Sequence, residues 1–475
     1  MAGIGFQLRK LNRSDSITSV VSSVGHAAVI AARPWLFTIF ALATITMTSE
    51  PVAGMSTLAT FRVVIIYAFA SSLVLSAPIA IVATRRVADA LWQKKPEEVP
   101  PLLFGAFVLA LPVVMAGAGA LSIYFQLDGD LAIALLAASS LVALIWIVLS
   151  FCGAVRDYNG VTMSFLLGLL LSLLMTVTAA VLGFHAAGMV WGFVSGLTVT
   201  FFGMTHRVLA TFPQPMTSAT AGALAIVDGL LRYWHLALGA LLGTTAVWID
   251  KWLFWFSPAG ETTRGGLVHA PPYDSAMFIA SLVIIPSLAA FVMKLETEFF
   301  DRYQQYYAII SSHGTMGEIE QARGRLARYT LDNLALITVT QVGICAVLVL
   351  TAPLIIDALD LRFQQIAILR YGALGAVFQF IFIACTSMLL FFDRRRLYLG
   401  LQALFLALNI LLTVLSIGLG EDFYGVGYFI ACLISAFVAY RLADQTFENL
   451  NFLTFIGNNP SVGSSRKRLR LGQKS

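Results

Sequence analysis

Residues 161–204, VTMSFLLGLLLSLLMTVTAAVLGFHAAGMVWGFVSGLTVTFFGM, contain no Asp, Glu, Lys or Arg. As one helix they would reach roughly 66 Å, about twice the ~30 Å hydrocarbon core of a bilayer. The run therefore folds back, and Gly183-Phe184-His185 is where a turn fits. Two apolar helices joined by a tight turn make a membrane hairpin, so the fold class is read here: an all-α integral membrane protein.

The rest of the chain agrees. Of 475 residues, 59% are hydrophobic and 12% charged, with mean hydropathy +0.84. That is about half the charged fraction of an average soluble protein, and a soluble globule cannot hide so much apolar surface. Besides Val161–Leu182 and Gly188–Met204, spans are expected at Ala27–Met47, Val63–Thr84, Leu102–Phe125, Leu131–Cys152, Tyr233–Phe256, Ser275–Met293, Asn333–Ile356, Tyr371–Phe392, Leu397–Gly420 and Phe423–Tyr440. That gives about 12 transmembrane helices, six on each side of Pro213, although the two halves share hydropathy rather than residue identity.

Charge sets the orientation. Of the 30 Lys and Arg residues, 23 fall on the side that holds both termini and four (Arg62, Lys251, Arg264 and Arg362) on the other. Both termini are therefore expected in the cytoplasm. The net charge of +5 belongs to this asymmetry and to anionic lipid, not to nucleic acid. Basic residues before the first apolar run resemble a signal peptide, but Arg33 and Pro34 interrupt the run and no convincing cleavage site follows, so it reads as a retained helix.

The expected organisation is a cytoplasmic N-terminal segment with a short amphipathic helix (1–24), a first six-helix bundle (25–210) and a cytoplasmic connection (211–232). A second six-helix bundle (233–446) includes a cytoplasmic helical hairpin (299–330), and a basic, disordered cytoplasmic tail (447–475) follows. In the hairpin, Phe299, Tyr303, Tyr306 and Ile310 recur at helical spacing, Ser311 to Gly314 reads as a turn, and Thr315 with Glu318 forms a capping box.

Ionisable residues inside a membrane are costly and mark function by default. Arg33 reaches deepest, where it either lines a hydrated conduit or neutralises a helix end. Arg232 and Asp250 bracket 17 uncharged residues and read either as interfacial residues or as the two mouths of a cavity, with Lys251 and Arg370 also at span edges. Asp228 stands four residues before Arg232 and can pair with it. Length forces none of the 25 acidic residues into mid-membrane, which argues against a proton- or sodium-coupled antiporter. Gln341, Gln379 and Asn409 lie within spans, where they either bond sugar hydroxyls or tie helices together. Trp248, Trp252 and Trp255 are either a sugar-stacking surface or an interfacial belt. On the hairpin, Tyr303, Tyr307, Arg323, Arg325 and Arg328 are candidates for docking a partner, against the alternative that this face lies on anionic lipid.

Other chemistry is poorly supported. The four cysteines lie singly in apolar stretches and read as buried thiols, and the six histidines lack metal-type spacing, so no metal or cofactor is expected. No phosphate-cradling loop with its lysine occurs, and no loop is long enough for a sugar-nucleotide domain. His235, near a span interior, could serve a membrane acyltransferase, but no second catalytic group supports it.

Met1-Ala2-Gly3-Ile4-Gly5-Phe6 with Leu8-Arg9-Lys10-Leu11, the run Trp248-Ile249-Asp250-Lys251-Trp252-Leu253-Phe254-Trp255-Phe256-Ser257-Pro258, and Glu296-Thr297-Glu298-Phe299-Phe300 through Tyr307 resemble the Pel exopolysaccharide transporter family, PelG. The resemblance covers the whole chain, and Trp248 to Pro258 is its specific part. It implies the multidrug/oligosaccharidyl-lipid/polysaccharide (MOP) exporter superfamily, with two six-helix bundles around a central cavity. It further implies an amino-sugar polymer as substrate, a cytosolic glycosyltransferase that makes it, and membrane partners that include a cyclic-di-GMP receptor. The expectation is a non-enzymatic polysaccharide exporter of a bacterial inner membrane, serving the biofilm matrix. The alternatives are a lipid-linked oligosaccharide flippase or multidrug exporter of the same fold and, further off, a membrane acyltransferase.

Overall fold

The computed structural model describes residues 41–155, 158–216 and 218–457. Arg33, the N-terminal amphipathic segment, most of the expected first span and the tail beyond Gly457 lie outside the described residues, whereas 447–457, expected as the start of a disordered tail, are helical with Phe447 and Leu450 buried. Helical residues 41–53 lead into α1 (Met55–Trp92), α2 (Val99–Tyr124), α3 (Gly129–Val155), α4 (Tyr158–Val181) and α5 (Ala186–Thr211). A connecting helix α6 (Ala219–Arg232) precedes α7 (Trp234–Trp255). A two-stranded antiparallel hairpin, β1 (Glu261–Thr262) and β2 (Val268–His269), joins α7 to α8 (Pro271–Leu282) and α9 (Ile285–Lys294). Then come α10 (Phe300–Ser311), α11 (Met316–Ala358), α12 (Gln365–Phe391), α13 (Arg395–Leu419) and α14 (Val426–Glu448). Among the described residues, 11 helical segments are long and apolar enough to cross a membrane, one for each expected span after the first.

Small residues let the helices approach. Gly168 and Gly196 are so close across α4 and α5 that neither has room for a Cβ, and Ser172 donates to the Phe193 carbonyl at 2.8 Å. Gly239 and Gly243 of α7 receive Tyr398 and Gln402 of α13 in the same way. Such contacts replace the hydrophobic driving force that helices lose in lipid. The expected turn is present: α4 ends at Val181, Gly183 takes φ +78°, and α5 begins at Ala186.

Two elements differ from expectation. The eighth span is broken: Pro286 in the first turn of α9 has no N–H to give the Leu282 carbonyl, and Val283 and Ile284 turn back by three-residue bonds to Ala280 and Ser281. The hairpin's second arm is not a separate helix but the start of α11, which runs unbroken for 43 residues into the ninth span, because neither Gly nor Pro falls between Leu326 and Asn333. The capping box holds its start, with the Glu318 N–H 3.3 Å from the Thr315 hydroxyl and the Thr315 N–H 2.7 Å from the Glu318 carboxylate. The hairpin also does not stand free. Phe299 packs on Phe391 at 5.2 Å, the buried Tyr306 donates to Asn451 at 2.8 Å, and Arg323 donates to the Phe447 and Glu448 carbonyls at the end of α14.

Candidate functional site

The two bundles meet along a seam where α1 of the first runs beside α7 of the second. At the end bearing the β-hairpin, the Tyr67 ring stacks on Trp255 at 4.7 Å and its hydroxyl donates to the Val268 carbonyl at 2.8 Å. Phe125 stands edge-on to Tyr67 at 5.5 Å and stacks with Phe256 at 6.3 Å. The Trp255 indole N–H donates to both oxygens of Asp274 at 3.0 and 2.9 Å, and the same carboxylate accepts the Ala270 N–H at 3.1 Å. Tyr67 and Trp255 are both buried, so this end is a closed aromatic seal. Outside the spans, burial and the charge of Arg62, opposed by Glu261, hold the His269 imidazole below its ordinary value.

The opposite end is built from charge. Tyr233 donates to Asp89 at 2.9 Å, Asp89 also pairs with Arg85 at 3.3 Å, and Arg86 pairs with Asp228 at 3.6 Å. Three guanidinium groups surround the Tyr233 ring, Arg395 at 4.7 Å, Arg232 at 5.5 Å and Arg85 at 5.7 Å. Arg395 comes from α13 and Asp89 from α1, so Tyr233, standing between α6 and α7, connects the bundles at this arginine end.

Inside the second bundle lies a polar network centred on Asp250. Asp250 is fully buried, with its carboxylate 3.1 Å from the Lys251 ammonium and accepting the Tyr273 hydroxyl at 2.9 Å. Lys251, itself mostly buried, lies 6.0 Å from the centre of the Tyr428 ring, and Tyr428 donates to Gln379 at 2.5 Å. A carboxylate buried in protein needs a counter-charge, and Lys251 supplies it. Asp250 lies five residues before the end of α7 and has no exposed surface.

The remaining expected site residues scatter. Asp228 pairs with Arg86 rather than with Arg232, which turns to Tyr233. Arg370 donates to the Val349 carbonyl at 3.2 Å, an acceptor left unpaired in α11 because Pro353 lacks an N–H. Asn409 ties α13 to α7 through the Ala246 carbonyl at 2.8 Å and accepts Thr413, so it serves helix packing. Gln341 is buried with neither amide atom hydrogen-bonded. Of the three tryptophans, Trp255 is sealed in the seam while Trp248 and Trp252 are half-buried. Tyr303 and Tyr307 are half-buried against each other at 4.8 Å, and Tyr303 also meets Phe392 at 6.1 Å. Arg323 is committed to Glu320 and the end of α14, which leaves Arg325 and Arg328 exposed. His235 stacks on Trp234 at 3.8 Å near the start of α7, not in a span interior.

Sequence reasoning missed Tyr67, Asp89, Tyr233, Tyr273, Asp274 and Tyr428. Asp274 alone carried a signal, an acidic residue two positions after Pro271-Pro272 at a span start. The tyrosines are indistinguishable from lipid-facing ones until the helices are paired. Among the described residues, no group of three or more His, Cys, Asp or Glu side chains is placed to hold a metal ion.

A model of the family described as "PelG: Putative exopolysaccharide Exporter (EPS-E)" matches residues 1–455. Among curated proteins, none matches. Among solved structures, an outward-facing multidrug resistance MATE family transporter of the MOP superfamily is similar with TM-score 0.61 and 15% identity, covering 95% of this chain and 99% of its own. Its inward-facing counterpart gives TM-score 0.57 and 14% identity over 90% and 99%. A MOP superfamily transporter from Pyrococcus furiosus, described by the reverse polarity of its binding pocket, gives 0.61 and 16% over 95% and 99%. At such identities the likeness is one of fold.

Proposed function

Because the chain belongs to the PelG family of exopolysaccharide exporters, we propose that it moves a Pel-type amino-sugar polymer from the cytoplasm to the periplasm across a bacterial inner membrane, for the biofilm matrix. The observation that carries this is the family match over nearly the whole chain. The MOP-type fold supports it, since two bundles meeting at one seam give a path that can close at either end. It is a transporter and not an enzyme. The drug-exporting relatives share only the fold, so they do not favour a drug as cargo.

In this reading the arginine end faces the cytoplasm, following the distribution of Lys and Arg, and the hairpin end faces the periplasm. Reporter fusions check it: one after Gly260 reports periplasm and one after Arg466 cytoplasm, and either reversed rejects the orientation. The glycosyltransferase that makes the polymer docks on the exposed side of the hairpin arm, at Arg325 and Arg328, with membrane partners including a cyclic-di-GMP receptor nearby and anionic lipid around the basic tail. Asp250 carries its own counter-charge in Lys251, so polymer growth rather than a proton or sodium gradient drives export. Export that stops when both gradients are collapsed while synthesis continues would refute that driving force.

The test of function is genetic and chemical together. A strain lacking the chain is expected to keep polymer inside the cell, unreachable by added glycoside hydrolase, and to recover secretion when the chain is restored. Undiminished secretion without the chain would reject the assignment.

A further inference from the structure

The loop between α7 and α8 is held more tightly than a surface connection requires. Gly265 and Gly266 press the hairpin tip on the first bundle. A Cβ at Gly265 would stand 2.7 Å from the Thr60 methyl and 2.9 Å from Leu131, and one at Gly266 would stand 2.9 Å from the Phe125 carbonyl oxygen. Gly266 also takes φ +86°, where a side chain would add strain. Leu267 is fully buried beneath the tip. The hairpin belongs by chain to the second bundle, yet its tip and the Val268 carbonyl are held by Thr60, Tyr67, Phe125 and Leu131 of the first. It covers the end of the α1–α7 seam.

One carboxylate holds this cover to its own bundle. Asp274, at the start of α8, bonds both the Trp255 indole and the Ala270 N–H that follows β2, so the tryptophan and the hairpin's return strand move as a unit with α8. A path wide enough for a polysaccharide would pass water and ions freely if left open, so a membrane that keeps its gradients needs a dry seal when no polymer is present. Stacked aromatic rings with their polar atoms satisfied supply one.

We propose that the β1–β2 hairpin with Trp255 is the exit gate of the transport path, with Tyr67 as the surface it closes on and Asp274 as the positioning residue that fixes Trp255 in the closed arrangement. The proposal rests on the exporter reading and adds to it the place where polymer leaves. Opening separates Trp255 from Tyr67 and Val268 from the Tyr67 hydroxyl, while the Trp255–Asp274 bonds persist.

Locking the gate tests it. In Thr60→Cys/Gly265→Cys the first change removes the methyl that would crowd a Cβ at 265 and brings two cysteines into contact across the seam, and the four native cysteines are buried and free. The same protein is compared oxidised and reduced, in cells whose secretion has been shown to require the chain. Oxidation is expected to lower polymer secretion by about tenfold or more, and reduction to restore it. Near-complete disulfide formation with unchanged secretion would overturn the gate while leaving the exporter assignment intact; secretion that never needed the chain would overturn the assignment instead. A single Thr60→Cys, at the buried site beneath the hairpin tip, gives an independent reading through its labelling by a membrane-impermeant maleimide. Labelling is expected to be faster while polymer is being made than when the synthase is idle, and equal rates would count against a moving hairpin.

Discussion

The two ends of the α1–α7 seam are closed by different physics. At the hairpin end the contacts are dry: Trp255, Tyr67 and Leu267 are buried and each polar atom of the clasp has a fixed partner. At the arginine end the side chains of Arg85 and Asp89 are 43% and 30% exposed, and Tyr233 sits among three guanidinium groups, of which Arg85 is paired with Asp89 and Arg395 with Asp393. A dry aromatic contact is strong and all-or-none, whereas a hydrated ionic contact is weak and graded. One end is suited to sealing and, in the proposed exporter, the other to admitting the polymer. The difference also explains why the buried Asp250–Lys251 pair sits near the hairpin end of α7: it ties α7 to α8 and α14, giving the sealing face a fixed base.

Removing that base is expected to have the largest effect. Lys251→Ala leaves Asp250 buried without a counter-charge, at a cost of about 3–5 kcal/mol, read as a large fall in the melting temperature of the detergent-purified protein. Lys251→Ala and Asp250→Asn combined should recover part of that loss, and a double variant no better than the single would mean the pair is not coupled. Next, Trp255→Ala should cost about 3–5 kcal/mol through the lost ring and the stranded Asp274 carboxylate, whereas Arg395→Ala at the other end should cost only about 0.5–1 kcal/mol. Equal losses would erase the distinction between the ends.

Salt should separate the ends more gently. Raising ionic strength to about 1 M, where the screening length is near 3 Å, is expected to increase maleimide labelling of an Ala90→Cys reporter, buried beside Asp89 at the arginine end, and to leave Thr60→Cys labelling unchanged. The smallest effect is that of pH on the hairpin. The folded form favours neutral His269, so its contribution is complete above the ordinary value of 6.5 and is lost as pH falls through the lower folded value. Thr60→Cys beneath the hairpin tip should therefore label faster as the medium is acidified below 6.5, and His269→Gln should flatten that response.

The membrane fold was legible because hydropathy and chain length leave few alternatives. The 161–204 run, its turn at Gly183 and the Thr315–Glu318 cap all follow from local chemistry. The broken eighth span was legible in principle, since Pro286 stands mid-span, but a proline inside a membrane helix often bends it without breaking it. The site was much less legible. Asp250 looked like an edge residue because five further positions of α7 follow it, and distance along a helix does not reveal that Tyr273 and Tyr428 enclose it. Trp255 looked like its neighbours Trp248 and Trp252, and only the pairing of α7 with α1 singles it out. The hairpin tyrosines and Arg323 have the composition of a docking surface, but the ends of α12 and α14 use most of them. Pairwise packing between distant segments carries this information, and composition does not.

The most direct measurement follows both ends at once during export. Spin labels at Asp128→Cys and Arg264→Cys span the hairpin end, and labels at Lys94→Cys and Arg396→Cys span the arginine end; all four positions are exposed. With the protein in vesicles alongside its polymer-making partners, each distance is compared with synthesis idle and active. The hairpin-end pair is expected to gain a population longer by roughly 5 Å or more when polymer is made, a displacement of the size that domain movements produce. Polymer accumulating on the far side of the membrane while the hairpin-end distances stay unchanged would contradict the account.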